Sequence, residues 1–270
     1  LGVFSVSSTA QSGERNPHLR IVSLTLTFYR KRVVVSRTSE VTIDSVSHAL
    51  RAFVVKPDAE GPWPGVVVIH DVFGMTADLK AQAERLADDG YVAVAPDLYS
   101  YGRKLPCLVS TFRAMRHRSG PAFDDINAVK EWVSSSSDCT GKVGIIGFCM
   151  GGGFALLTAS GYGFSASSVN YGQVPKDAEA LLSGACPVVG SFGAKDKGLR
   201  GAAAKLEVAL THNDVPHDVK EYAQASHSFL NDHEGRLATV LMKVTGVGYE
   251  ESAANDARTR IRDFFATYLT

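Results

Sequence analysis

Between Gly65 and Tyr222, short runs of β-branched and small apolar residues alternate with stretches whose apolar residues recur at helical spacing. Gly65-Val66-Val67-Val68-Ile69 and Tyr91-Val92-Ala93-Val94-Ala95 are short and almost uniformly apolar, as strands buried on both faces are. Residues 142–146, 187–192 and 218–222 continue the series. Thr76 can cap a helix carrying Leu79, Ala83 and Leu86, and Gly90 can end it. Further helices are expected over residues 121–133, with Phe123, Ile126, Val129 and Val133 on one face, from near Phe154, over 199–210, and over 252–268. Strands separated by helices make βαβ units, hence an α/β domain with a mostly parallel sheet covered on both faces. Upstream, residues 41–55 read as a β-hairpin and residues 21–28 as a strand, and the polar, Ser-rich residues 1–20 are expected to be disordered.

Charge limits the partners. The 270 residues carry 28 Lys+Arg and 28 Asp+Glu, so the basic excess of a nucleic-acid binder is missing. No window approaches the ~18 uncharged apolar residues of a membrane span, and neither nucleic acid nor membrane is expected as a partner. The balance is uneven. Residues 1–39 hold six Lys or Arg against Glu14 alone, a net of +5 that leaves −5 for residues 40–270. We read 1–39 as a basic, Ser-rich extension and 40–270 as one domain. The four cysteines form no C-x-x-C pair, so they read as reduced thiols of a cytoplasmic protein. Cys107, Cys139 and Cys186 suit the role of small buried hydrophobes. The basic extension has the composition of a transit peptide, and organelle targeting is the alternative.

Gly147-Phe148-Cys149-Met150-Gly151 lies between an expected strand and an expected helix. A reactive side chain held on such a strand-to-helix turn needs glycines around it, because neighbouring side chains would clash. At a helix N-terminus a thiol feels the partial positive charge of unpaired N–H groups, which favours thiolate, and the Met150 N–H can face an oxyanion. The phosphate-loop reading fails for want of Lys-Ser/Thr and of G-x-G-x-x-G spacing. A thiol nucleophile needs a base, and the base an orienting carboxylate. Asp196 and His227 each follow an expected strand, in the chain order nucleophile, acid, histidine. His18, His117, His212, His217 and His233 lack that placement, and Asp232-His233 lacks metal-ligand spacing. The run Ile69-His70-Asp71-Val72-Phe73-Gly74 ends at the same sheet edge. Its Val72 N–H is the candidate second oxyanion donor, and Asp71 is expected beside Cys149, either in a functional role or as a turn residue.

From about Arg51 to the C-terminal helix the sequence resembles the dienelactone hydrolase family of α/β hydrolases. The resemblance rests on the Cys149 elbow, the Ile69–Gly74 run, Ala95-Pro96-Asp97-Leu98-Tyr99, Asp196 and His227-Ser228-Phe229. It implies an α/β-hydrolase fold and hydrolysis of a dienelactone, or a related small ester or lactone, by a Cys149-His227-Asp196 triad without metal or cofactor. It also implies that Asp71, Tyr99 and Arg103 gate the nucleophile or bind substrate. Two departures stand out. Asp71 replaces the family's Glu with a side chain one methylene shorter, and the stretch after His227, Ser228-Phe229-Leu230-Asn231, contains no Arg. The same residues leave room for a thioesterase or peptidase on this triad, and for a non-catalytic fold member that binds a small ligand. Oligomeric state is left open.

Overall fold

The computed structural model describes residues 37–46, 48–102, 104–232 and 248–270. The expected 21–28 strand, the disorder expected of residues 1–20, Arg103 and His233 lie outside the described residues. The described strands are β1 (Arg37–Asp44), β2 (Ala49–Lys56), β3 (Trp63–Ile69), β4 (Val92–Pro96), β5 (Cys139–Phe148), β6 (Ala166–Asn170), β7 (Val188–Gly193) and β8 (His217–Tyr222). They form one eight-stranded sheet in the order β1-β2-β4-β3-β5-β6-β7-β8. The β1–β2 and β2–β4 pairs are antiparallel, and every pair from β4 to β8 is parallel. β1 runs across the 39/40 boundary drawn from charge.

Pleating splits each central strand between two cores. Val67, Ile69 and Ile145 face one, with Phe123, Ile126 and Phe154. Val66, Val68 and Ile146 face the other, with Leu79, Ile261 and Phe265. The helices covering these faces are α1 (Ala77–Asp88), α2 (Lys104–His117), α3 (Pro121–Ser134), α4 (Met150–Leu157), α5 (Ala178–Leu181), α6 (Ala202–His212) and α7 (Glu251–Leu269). Thr76 caps α1 as expected, accepting the Leu79 N–H at 3.2 Å. No helix among the described residues is long and apolar enough to cross a membrane.

The elements that the sequence reading missed or misplaced include α4, β6, α2 and the short α5. α4 begins at Met150 rather than near Phe154, because its glycines are drawn into the helix by close backbone contacts that outweigh their poor propensity. β6 was hidden by Ser167, Ser168 and Asn170, which look like loop residues but are fully buried. Most of their polar groups find internal partners: the Ser167 hydroxyl donates to Ala155 O at 2.9 Å, and the Asn170 NH₂ donates to Gly147 O and to the Ser168 hydroxyl, both at 3.1 Å. α2 lacks a clear apolar stripe, since it buries Cys107, Thr111 and Ala114 and exposes larger apolar residues.

Candidate active site

The turn from β5 into α4 places Cys149 at φ 54°, ψ −113°. A non-glycine residue there costs about 1–3 kcal/mol, so its surroundings must hold it. The Cys149 N–H donates to Asn170 O at 3.0 Å, and its carbonyl accepts the Gly153 N–H at 3.1 Å. A Cβ on Gly147 would sit 1.9 Å from Gly151 O, and one on Gly151 would sit 2.3 Å from Ile69 O. Both neighbours are backbone and cannot swing aside. Gly147→Ala is therefore expected to cost at least ~3 kcal/mol of stability. Chemical denaturation measures it, and a loss below ~1 kcal/mol would mean that the elbow relaxes freely.

Loops after β7 and β8 bring the other two groups to this turn. They are stitched together by Ala194 N–H to Tyr222 O and Lys195 N–H to Ala225 O, both at 3.0 Å. Gly193 permits the crossing, because a Cβ there would lie 2.6 Å from Ser226 O. Asp196 caps the following 3-10 turn, Lys197–Leu199, with Oδ1 accepting the Gly198 N–H at 2.9 Å. Its Oδ2 lies 2.5 Å from His227 Nδ1, and His227 Nε2 lies 2.9 Å from Cys149 Sγ. Burial alone would raise the Asp196 carboxyl. The hydrogen bond and charge of His227, with the N–H groups of Gly198 and Leu199, outweigh it and hold the carboxyl below its usual range. Burial would likewise lower His227, but hydrogen bonds to Asp196 and Cys149 and their charges push it up to about 10. The imidazole is thus held towards its cationic form between a carboxylate and a sulfur.

The loop after β3 closes the third side. Asp71 is buried, and its Oδ1 accepts the Phe73 N–H at 2.8 Å, a turn-forming bond of the kind Asp often makes. Tyr99 is also buried, with its hydroxyl donating to Val72 O at 3.4 Å. Burial raises the Tyr99 hydroxyl pKa, and the charges of Asp71 and Cys149 add to it. No acceptor among the described residues takes the N–H of Val72 or of Met150. Arg103, the remaining candidate, lies outside the described residues. Among the described residues no cluster of three or more His, Cys, Asp or Glu could hold a metal ion.

Some supporting residues were assigned no role from the sequence. His70 is fully buried and its pKa is lowered, chiefly by that burial, so it is neutral. Its Nδ1 donates to Asp71 O at 2.6 Å and its Nε2 accepts the Leu98 N–H at 3.2 Å, clipping the β3 loop to the β4 loop. Tyr171, just past β6 at φ 39°, lays its ring edge-on to His227 with centroids 5.2 Å apart. Its hydroxyl donates to Asn231, whose amide donates to Asp78 Oδ2 at 2.5 Å. The Gln82 amide donates to Leu230 O at 2.9 Å, so α1 anchors the histidine loop. A polar Asp78 and Gln82 on the face of α1 that carries Leu79 and Leu86 were the available hint.

The dienelactone hydrolase family profile matches residues 50–269. A carboxymethylenebutenolidase of Pseudomonas putida is 28% identical over 241 residues, covering 85% of this chain and 96% of that protein. A dienelactone hydrolase-like promiscuous phosphotriesterase from metagenomic libraries superposes with a TM-score of 0.70 at 23% identity, covering 87% of this chain and 99% of the other. The dienelactone hydrolase of Anabaena variabilis does so with a TM-score of 0.66 at 20% identity, covering 87% and 99%. At those identities the two structures establish a shared α/β-hydrolase fold.

Proposed function

The chain belongs to the dienelactone hydrolase family, and we propose that it hydrolyses small esters or lactones through an acyl intermediate on Cys149. The observation that carries this reading is the series Cys149 Sγ, His227, Asp196, joined at 2.9 and 2.5 Å. The Cys149 thiolate attacks the substrate carbonyl carbon, forming a C–S bond and an oxyanion. The N–H groups of Val72 and Met150, without an acceptor among the described residues, hold that oxyanion, where preorganised donors contribute most. On collapse the C–O bond to the leaving group breaks, and the leaving oxygen takes a proton from the His227 imidazolium. The neutral imidazole then takes a proton from water as the water attacks the thioester. Cleavage of the C–S bond returns the thiolate, the imidazolium and the product acid. Asp196 keeps the ring oriented and stabilises its cation, without itself becoming protonated. Cys149, His227, Asp196 and water account for every proton and electron pair in the cycle, so it calls on no metal or cofactor.

Asp71 supports a narrower expectation. Its carboxylate sits in the loop after β3 that also carries the candidate oxyanion donor Val72, and a carboxylate there opposes a second anion, so neutral substrates fit better than carboxylate-bearing ones. A panel of lactones, aryl esters and thioesters, each with and without a carboxylate, tests both points. Neutral aryl esters or lactones are expected to be hydrolysed with kcat/KM about tenfold above their carboxylate counterparts, or more, for a like charge near the reacting centre. Hydrolysis of no member of the panel would contradict the ester or lactone reading. A preference for the carboxylate-bearing members would contradict the role of Asp71 and assign substrate binding to a cation such as Arg103.

A further inference from the structure

α2 turns unexpected residues to solvent. It buries Cys107, Thr111 and Ala114. At 100° per residue, the direction opposite that face is occupied by Leu105, Val109, Phe112 and Arg116. Leu105 is 73%, Val109 60% and Phe112 47% exposed. Exposed Phe73 adjoins the start of this ridge, where Lys104 Nζ donates to its carbonyl at 2.7 Å. The ridge thus begins in the loop that carries Val72, at the rim of the Cys149 site. Scattered exposed apolar residues are ordinary. A line of them along the outermost edge of one helix marks a contact surface.

The charge around the ridge says what it contacts. Residues 104–123 contain Lys104, Arg113, Arg116, His117 and Arg118 and no acid, in a region, 40–270, whose net charge is −5. Arg118 pairs with Asp177 at 2.5 Å. Arg113 and Arg116 have no ion-pair partner among the described residues. Phe112 also lines an open surface pocket of about 360 Å³ together with Met115, Arg116 and Arg118.

We propose that α2 docks the chain onto an anionic lipid bilayer. Leu105, Val109, Phe112 and Phe73 enter the headgroup layer, and Arg113 and Arg116 meet the lipid phosphates. Apolar residues flanked by cations are what an interfacial helix needs, and each basic residue adds attraction to an anionic leaflet. A second copy of the chain fits less well, because a two-fold contact sets Arg113 and Arg116 against themselves with no acid between. A convex ridge is also the wrong shape to enclose a small molecule. The absence of membrane partners expected from composition rested on the lack of a span, and a surface contact requires none. The proposal stands apart from the chemistry at Cys149.

Co-sedimentation of the full chain with phosphatidylcholine vesicles, with and without phosphatidylglycerol, tests it. Binding is expected only with phosphatidylglycerol, and to weaken as salt screens the charges. Arg113→Glu with Arg116→Glu is expected to lower vesicle affinity about tenfold or more. Leu105→Ser with Phe112→Ser is expected to lower it comparably, with thermal melting unchanged in both double variants. Absence of phosphatidylglycerol-dependent binding would overturn the proposal, as would binding indifferent to both double variants. Concentration-dependent self-association in sedimentation velocity, lost in the serine variant, would instead assign the ridge to a second copy.

Discussion

Cys149→Ala is expected to lower kcat for aryl esters and lactones on the order of 10⁴-fold or more while leaving the fold in place. Alanine keeps a Cβ at φ 54° and keeps the backbone bonds to Asn170 and Gly153, so the elbow retains its geometry. What disappears is the atom 2.9 Å from His227 Nε2. In a triad that works as a unit, removing the nucleophile forfeits most of the rate enhancement, and only oxyanion binding and substrate positioning remain. The comparison needs kcat, since a change confined to KM would reflect binding alone. The other cysteines have no imidazole within hydrogen-bond reach among the described residues, and burial pushes the Cys107 and Cys186 thiols up, Cys186 to about 12. They therefore offer no substitute nucleophile.

Asp196→Asn is expected to have the next largest effect, on the order of 10³–10⁴-fold in kcat, by analogy with other triads that lose the orienting carboxylate. An amide in place of Oδ2 either turns its NH₂ towards Nδ1, which forces the wrong tautomer, or offers a neutral oxygen that supports the imidazolium far less. The His227 pKa, held at about 10 against burial, is then expected to fall sharply. Proton NMR of the His227 ring reads this directly, and a ring that still titrates near 10 in the variant would remove Asp196 from the account.

The pH dependence of stability carries the same signature with a defined sign. The folded pKa of His227 lies above its ordinary 6.5. Its contribution is therefore fully present below 6.5 and lost as pH rises through about 10. Asp196 is shifted the other way. Its contribution is present above the ordinary carboxylate value of 3.8 and lost as pH falls through its lowered folded value. Asp196→Asn is expected to flatten both limbs.

The parts of the site that depend on local backbone geometry were readable in the sequence. The elbow was legible because Gly147 and Gly151 have no room for a Cβ, and because a strand and a helix flank them. Asp196 and His227 were legible because strand ends on a parallel sheet converge on one edge. Contacts between distant segments were not. Asn231 reaches Tyr171 across 60 residues and Asp78 across 153, and no periodicity encodes such pairs. β6 stayed hidden because buried Ser167 and Asn170 find their partners in α4 and β5, which only the fold supplies. α2 stayed hidden because its solvent face is apolar, the same property that makes it a candidate docking surface.

The central claim is an acyl group carried on Cys149. Rapid acid quench during turnover of p-nitrophenyl butyrate, followed by peptide mass mapping, tests it most directly. The account predicts a butyryl adduct on the peptide containing Cys149, approaching one per chain when deacylation is slow, and none in Cys149→Ala. Turnover with the acyl group on another residue would contradict it, as would an unaltered Cys149→Ala rate.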